Sequence, residues 1–459
     1  MNPEFQRNLW LELTARRVVL MVVLLGLVFV AVALSGFKDF TVGGAAEWLF
    51  YLIVVLWGTR NAATAVVGEI RDRTWDMQRL SSLTPGEMTW SKLFGSTIFN
   101  WLGGAICLAV MTFETLTAKG ATAALADVAY YIVIGVIAQA ASLLVSLVAV
   151  RRRQNHSRFD VFVYQIAGIA AALAVHGAWS DVDPATLHLV HVAGTETVGW
   201  WGMKLDSRLF SLASLAVFAG WLLIGCYREM RLELQMRNGP LVWLAFLIFI
   251  GVYTAGFDAQ QLPADIAPYV DAVGQRLARA VIFYVGLAYL MVMLEPKDRV
   301  HYRWLGTQIA SGRVGAFFWG LESWMIAYGA AVLTSLALLA WWSVHRTGGW
   351  MLPASVVAIL GFLTRDVSLF IVLRGAPGRR RGDLAALGTL LAIYVLAPVI
   401  VKGLGANNLL MIFLPTPTEP VWLGPAVAWG EGLALAALAF SRASIRNNPA
   451  GRSQPSPAS

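Results

Sequence analysis

An all-α, polytopic transmembrane bundle of about twelve spans is the fold class this sequence predicts. Composition, run length and charge placement each point there. Of 459 residues, 58% are hydrophobic and only 14% charged. The mean hydropathy of +0.64 is beyond the range of ordinary soluble domains. Apolar runs of ~18–25 residues recur along the chain, the length at which a helix crosses about 30 Å of hydrocarbon. Inside lipid every backbone donor and acceptor must be satisfied within its own segment, so these runs are expected as helices. Continuous apolar stretches also exclude a β-barrel, whose strands alternate.

Taken in order, the spans fall at roughly 18–36, 47–67, 94–117, 127–150, 161–179 and 209–226 in the first half. In the second half they fall at roughly 241–257, 273–294, 322–342, 352–373, 384–402 and 424–441. With the N-terminus placed in the cytoplasm, about 26 of the 35 basic residues sort to the cytoplasmic side and about 8 to the other. Arg365 remains within a span. Arg151-Arg152-Arg153 and Arg379-Arg380-Arg381 both land inside. A net charge of +8 is therefore a positive-inside bias and implies no nucleic acid. The expected location is the plasma membrane, a bacterial inner membrane, with both termini cytoplasmic. The two cysteines, Cys107 and Cys226, lie in or beside apolar runs and read as small buried hydrophobes.

Ahead of the first span, Phe5, Leu9 and Leu13 recur at near-helical spacing opposite Arg7 and Glu12. That leader, Asn2 to Arg17, reads as an amphipathic helix on the membrane surface, and the long run behind it as an uncleaved span. The chain also repeats itself. Leu11-Glu12-Leu13 has a counterpart in Leu232-Glu233-Leu234. Glu69, Asp72 and Arg73 after the second span match Glu295, Asp298 and Arg299 after the eighth, at an offset of 226 (295 − 69). The same offset pairs Ser142-Leu143 with Ser368-Leu369 and Arg153 with Arg379. Two six-span halves are expected, 1–226 and 227–446, followed by a Pro/Ser-rich disordered tail over 447–459. Six is even, so the copies share one orientation, a parallel repeat.

The richest connection is 68–93, after the second span, with a counterpart at 295–320. It carries Trp75, Leu80 and Leu83 and then Thr84-Pro85-Gly86-Glu87. Thr84 is a candidate N-cap, Pro85 stands at N1 and Glu87 at N3, the pattern of a capping box. A second short helix then leads into the third span. In Glu69, Thr74, Leu80, Leu83-Thr84-Pro85 and Lys92-Leu93 the connection resembles the permease subunits of ABC-2 type transporters. Ser91 stands where that family usually has glycine. The surface helix before the first span and the six-span unit fit the same family. In the second half, Glu295, Asp298 and Arg299 keep the start of the pattern, and Ser311-Gly312-Arg313 replaces the turn.

The resemblance implies a coupling helix that docks on a separate ATPase subunit, with Glu69, Asp72, Arg73, Thr84, Pro85, Glu87, Glu295, Asp298 and Arg299 as the coupling residues. The sequence has no Gly-x-x-x-x-Gly-Lys-Ser/Thr loop, so the chain is expected to bind no cofactor itself and to be no enzyme. ATP and its magnesium would sit on the partner. The cargo would be a small or lipid-like substrate, moved outward.

Intramembrane charges come next. Arg365, Asp366 and Glu431 are candidates for the substrate path, since charges at such depth are expensive. Structural pairing or snorkelling competes with that role. Adjacent helical residues do not face each other, so a direct Arg365–Asp366 pair is not expected, whereas Arg365 lies near enough to the cytoplasm to snorkel. Their counterparts, Gln139 and Ala140, are uncharged. The external segment 180–208 holds Asp181, Asp183, His188, His191 and Glu196; two histidines without a third ligand read as ordinary surface residues of a polar lid. Trp48, Trp200, Trp201, Trp341, Trp342 and Trp350 read as interface anchors. Three rivals to the permease stand: a parallel-repeat secondary transporter, a membrane-embedded enzyme and a non-transporting scaffold.

Overall fold

The computed structural model describes residues 2–35, 41–151, 158–179, 197–257, 272–295, 299–345, 351–374, 382–415 and 420–445. Asp298, the His188–His191 pair with its neighbouring acids, Arg152-Arg153, Arg379-Arg380-Arg381, Trp350 and the 447–459 tail lie outside these residues, as does the Arg299 side chain. The described chain is all-α apart from two short paired strands, β1 (Thr197–Trp200) and β2 (Met203–Asp206). Among the described residues, nine helices are long and apolar enough to cross a membrane, and three shorter apolar helices accompany them. By length and composition this is a multi-pass membrane protein.

The chain forms two compact units, 1–198 with 203–238 and 199–202 with 239–459. In unit 1, α1 (Pro3–Glu12) precedes α2 (Ala15–Ser35). Asn2 caps α1 by accepting from the Glu4 and Phe5 amides. The second crossing is α3 (Val42–Phe50), a π-helical stretch (Tyr51–Trp57) and α4 (Gly58–Arg71). Two short helices follow, α5 (Trp75–Arg79) and α6 (Pro85–Trp90). The long helices α7 (Ile98–Lys119), α8 (Ala121–Val150), α9 (Arg158–Trp179) and α10 (Ser207–Glu233) complete the unit. Helix α8 is the hub, packed against α4, α7, α9 and α10. Small residues allow these crossings: a Cβ on Gly168 of α9 would lie 2.5 Å from the Ala138 carbonyl oxygen of α8.

Unit 2 contains α11 (Leu241–Gly256), α12 (Ala272–Leu294), the short pair α13 (Arg299–Ala310) and α14 (Val314–Trp319), α15 (Ser323–His345) and α16 (Met351–Arg374). Then come α17 (Gly382–Leu391), a π-helical stretch (Ala392–Leu396), α18 (Ala397–Gly403), a 3-10 turn (Asn407–Ile412) and α19 (Leu423–Ile445). The most extensive packing in this unit joins α16 to α19. There a Cβ on Gly361 would meet the Ala428 carbonyl carbon at 2.9 Å, and one on Gly432 would meet the Gly361 carbonyl oxygen at 2.9 Å.

Cys107 and Cys226 are fully buried, as small hydrophobes should be. Trp342 departs from its reading as an interface anchor: it is buried against the face of Gly274, where the missing side chain makes room for the indole.

Candidate functional site

The connection after the second crossing is built as a rigid block. Helix α4 ends in a Schellman motif, in which Thr74 N donates to Glu69 O at 2.9 Å and Arg73 N to Ile70 O at 3.1 Å. Arg73 occupies the left-handed position with φ 59°, where glycine is the usual residue. Helix α6 opens with the capping box its sequence calls for. Thr84 Oγ1 accepts from Glu87 N at 3.3 Å and the Glu87 carboxylate accepts from Thr84 N at 3.0 Å, with Pro85 at N1. The carboxylate also accepts from the Thr84 hydroxyl at 2.8 Å, and its two bonds from Thr84 hold the Glu87 carboxyl below its ordinary pKa, the backbone bond contributing most.

The polar centre of the block is Lys92, only 2% exposed. Its ammonium donates to Glu4 Oε1 at 2.5 Å, to Gln78 Oε1 at 2.7 Å and to Glu69 Oε2. Gln78 Nε2 in turn donates to the other Glu69 oxygen at 2.6 Å, and the Arg7 guanidinium lies 3.5 Å from it. Two cations thus face two carboxylates, so the cluster is neutral. Lys92 also lies 5.6 Å from the centre of the Trp75 ring, whose N–H donates to Glu233 of α10. Helix α1 joins from above the sequence gap: Asn2 Nδ2 donates to Glu87 O at 2.6 Å and Asn8 Nδ2 to Ser91 O at 3.4 Å.

This geometry divides the expected coupling residues. Glu69 is an internal clamp, and the Thr84–Pro85–Glu87 group shapes α6. Asp72 and Arg73 remain at the surface with Asp76, Met77 and Leu80, the last 88% exposed. In unit 2, Glu295 is also an internal clamp. Its carboxylate accepts from Ser323 N at 3.0 Å and Trp324 N at 3.3 Å, capping α15. Nearby, Tyr302 donates to Glu322 at 2.9 Å; burial and then that carboxylate raise the phenol pKa. Sequence reasoning missed Glu4 and Gln78, and it read Lys92 only as part of the entry to the third span, not as a buried charge. Glu4 is buried on α1 beside Asn8, one turn on, and off the stripe set by Phe5, Leu9 and Leu13, so the apolar spacing gave no signal for it.

The intramembrane residues are assembled, not scattered. Arg365, 4% exposed, donates through Nε to Asp366 Oδ1 at 3.0 Å and through Nη1 to Glu431 Oε2 at 2.8 Å and to Ile412 O at 3.0 Å. Asp366 also accepts from the Tyr289 hydroxyl at 2.7 Å and the Tyr394 hydroxyl at 2.5 Å. Arg365 does not snorkel, and it does pair with its neighbour. Two adjacent Cβ atoms diverge, but the long guanidinium stem curls back across the turn to reach the short Asp366 side chain. The tyrosines come from α12 and from the π-helical stretch after α17. No spacing in the sequence could have flagged them.

A second polar centre surrounds the π-helical stretch of unit 1. Asn100 of α7 donates to Ile53 O at 2.8 Å, Gln139 of α8 to Val54 O at 3.0 Å and Gln165 of α9 to Leu56 O at 2.8 Å. Gln139, the uncharged counterpart of Arg365, is thus a buried structural donor. Among the described residues no group of three or more His, Cys, Asp or Glu could hold a metal ion.

No protein-family profile, curated protein or solved structure matches this chain. Its fold and sites define its class by themselves: an all-α protein of many apolar helices, carrying a polar block beside its second crossing and buried polar networks within its helices.

Proposed function

We propose that this chain is the membrane-spanning permease of an ABC-2 type transporter, built from two parallel six-span halves and driven by a separate ATPase. Both termini are then cytoplasmic, in a bacterial inner membrane. ATP and magnesium belong to the partner, and this chain forms the substrate path, running outward. The observation that carries the reading is the 68–93 block. A Schellman cap, a capping box and the Lys92 cluster leave it little freedom, while Asp72, Arg73, Asp76, Met77 and Leu80 stay outward. A rigid element transmits a displacement that a loose loop would absorb.

Element boundaries support the duplication. Helices α2 and α11 begin 226 residues apart (241 − 15), and α7 and α15 end 226 apart (345 − 119). Both halves place two short helices between their second and third long crossings.

Co-purification in detergent with the ATPase encoded beside this chain tests the reading. Wild type should retain the ATPase, and a Met77→Asp, Leu80→Asp variant should lose it while keeping its own melting temperature. Failure of wild type to retain any ATPase would overturn the proposal. The second reading is a gradient-driven transporter, favoured by the buried Arg365–Asp366–Glu431 network. It requires transport that proceeds without ATP.

A further inference from the structure

The second crossing of unit 1 carries an arginine that no described residue neutralises. Arg60 lies within the Val42–Arg71 crossing, and its exposed guanidinium makes no hydrogen bond or ion pair to a described residue. It stands eleven residues from Arg71 (71 − 60) and eighteen from Val42 (60 − 42), or roughly 16 and 27 Å along the helix axis. Arg60 also falls inside the expected span of 47–67. Helical side chains lean toward the N-terminus of their helix. Snorkelling to the nearer, Arg71 end would run against that lean.

The surroundings of Arg60 are organised. One turn earlier on its face are Leu56 and Trp57, and Leu52 lies a turn beyond; all three are exposed. One turn later is Thr64. Gln165 of α9 borders this strip on one side through its bond to Leu56 O. On the other side, Asn61 donates to Asn100 at 2.8 Å and Trp57 packs edge-on to Phe99, both partners from α7. The strip begins in the π-helical stretch, a distortion that recurs at functional sites. An exposed cation between amide groups, with leucines leading away from it along one helix face, is matched by a ligand of the inverse pattern: an anionic head on an apolar chain.

We propose that this strip binds an amphiphile with an anionic headgroup, a phosphate or carboxylate held by Arg60, with its chain along Leu56 and Leu52. The proposal names the substrate class of the permease described above and rests on that reading for its part in transport. Binding itself requires no ATPase. Arginine suits the task because its planar guanidinium pairs with two oxygens at once and keeps its charge at any accessible pH.

Native mass spectrometry of the full chain in neutral detergent tests it, with phosphatidylglycerol and phosphatidylcholine as probes. Wild type should prefer phosphatidylglycerol, and Arg60→Gln should lose about tenfold or more of that affinity with phosphatidylcholine unaffected. Arg71→Gln, at the end of the same helix, should change nothing, which separates this strip from general attraction to basic residues. Thr64→Glu supplies a carboxylate four residues on that pairs with Arg60. It should abolish the preference in a protein that still folds, and so keeps the test decisive if Arg60→Gln does not fold. Unchanged binding in either the Arg60 or the Thr64 variant would overturn the site, as would an equal loss in Arg71→Gln. Displacement of the lipid by inorganic phosphate alone would overturn the amphiphile. Loss of ATPase co-purification with this preference intact would instead sink the permease reading and leave the site standing.

Discussion

Lys92 shows how much of a site can depend on one buried charge. Its ammonium holds Glu4, Glu69 and Gln78 together. Removing it strands two carboxylates near only the Arg7 guanidinium. Breaking a buried pair from one side destabilises by about 3–5 kcal/mol, whereas removing both partners costs less. We therefore expect Lys92→Ala to lower the melting temperature sharply, and a Glu4→Gln, Lys92→Met pair to lie closer to wild type than Lys92→Ala does. Equal losses in both proteins would show that the cluster is not the anchor. Glu87 gives a pH-dependent counterpart. Because its folded pKa is lowered, its stabilisation is complete above the ordinary carboxylate range and fades as pH falls through the lowered value. Hydrogen exchange at the Thr84 amide and amides 86–88, corrected for intrinsic rate, should rise in acid in wild type and lose that dependence in Glu87→Gln. The capping box was legible because all its parts lie within four residues. The Lys92 cluster was not, since Glu4 and Lys92 are 88 residues apart and only tertiary packing joins them.

Among the elements, the α16–α19 crossing positions the buried charge network. Gly361 and Gly432 let the two helices approach until backbone meets backbone, and this approach brings Glu431 to Arg365. A methyl group there has no flexible neighbour to displace. Gly361→Ala should destabilise by about 1–3 kcal/mol or more through overpacking. It should also pull Glu431 from Arg365, which a lowered melting temperature and a raised exchange rate in α19 would report. Normal stability in Gly361→Ala would mean the crossing relaxes freely and the network is held by its hydrogen bonds alone. The apolar runs that become these helices were plain in the sequence, because hydropathy is a local sum. The π-helical stretches were not. A π distortion has no residue signature, and nothing in the spacing linked Asn100, Gln139 and Gln165 to the Tyr51–Trp57 stretch whose carbonyls their amides meet.

For the whole molecule, the decisive property is which ends of the helices share a side of the membrane. An internal repeat of even span number requires residues 226 apart to lie on the same side; an inverted repeat requires the opposite. Exposed positions exist for both ends. Ser81 and Thr307 are 226 apart (307 − 81) in the connections after the second crossing of each unit. Lys119 and His345 are 226 apart (345 − 119) at the far ends of α7 and α15. Both native cysteines are fully buried, so single cysteines at these four positions can be labelled with little background. With a membrane-impermeant maleimide on intact cells, Lys119→Cys and His345→Cys should react, and Ser81→Cys and Thr307→Cys should react only after permeabilisation. Labelling of Ser81→Cys with His345→Cys, and of Thr307→Cys with Lys119→Cys, would replace the parallel repeat by an inverted one. Reaction of the Ser81 and Thr307 pair in intact cells would keep the repeat and reverse the orientation. The 68–93 block would then face away from any cytoplasmic ATPase, and the coupling proposal would fall with it.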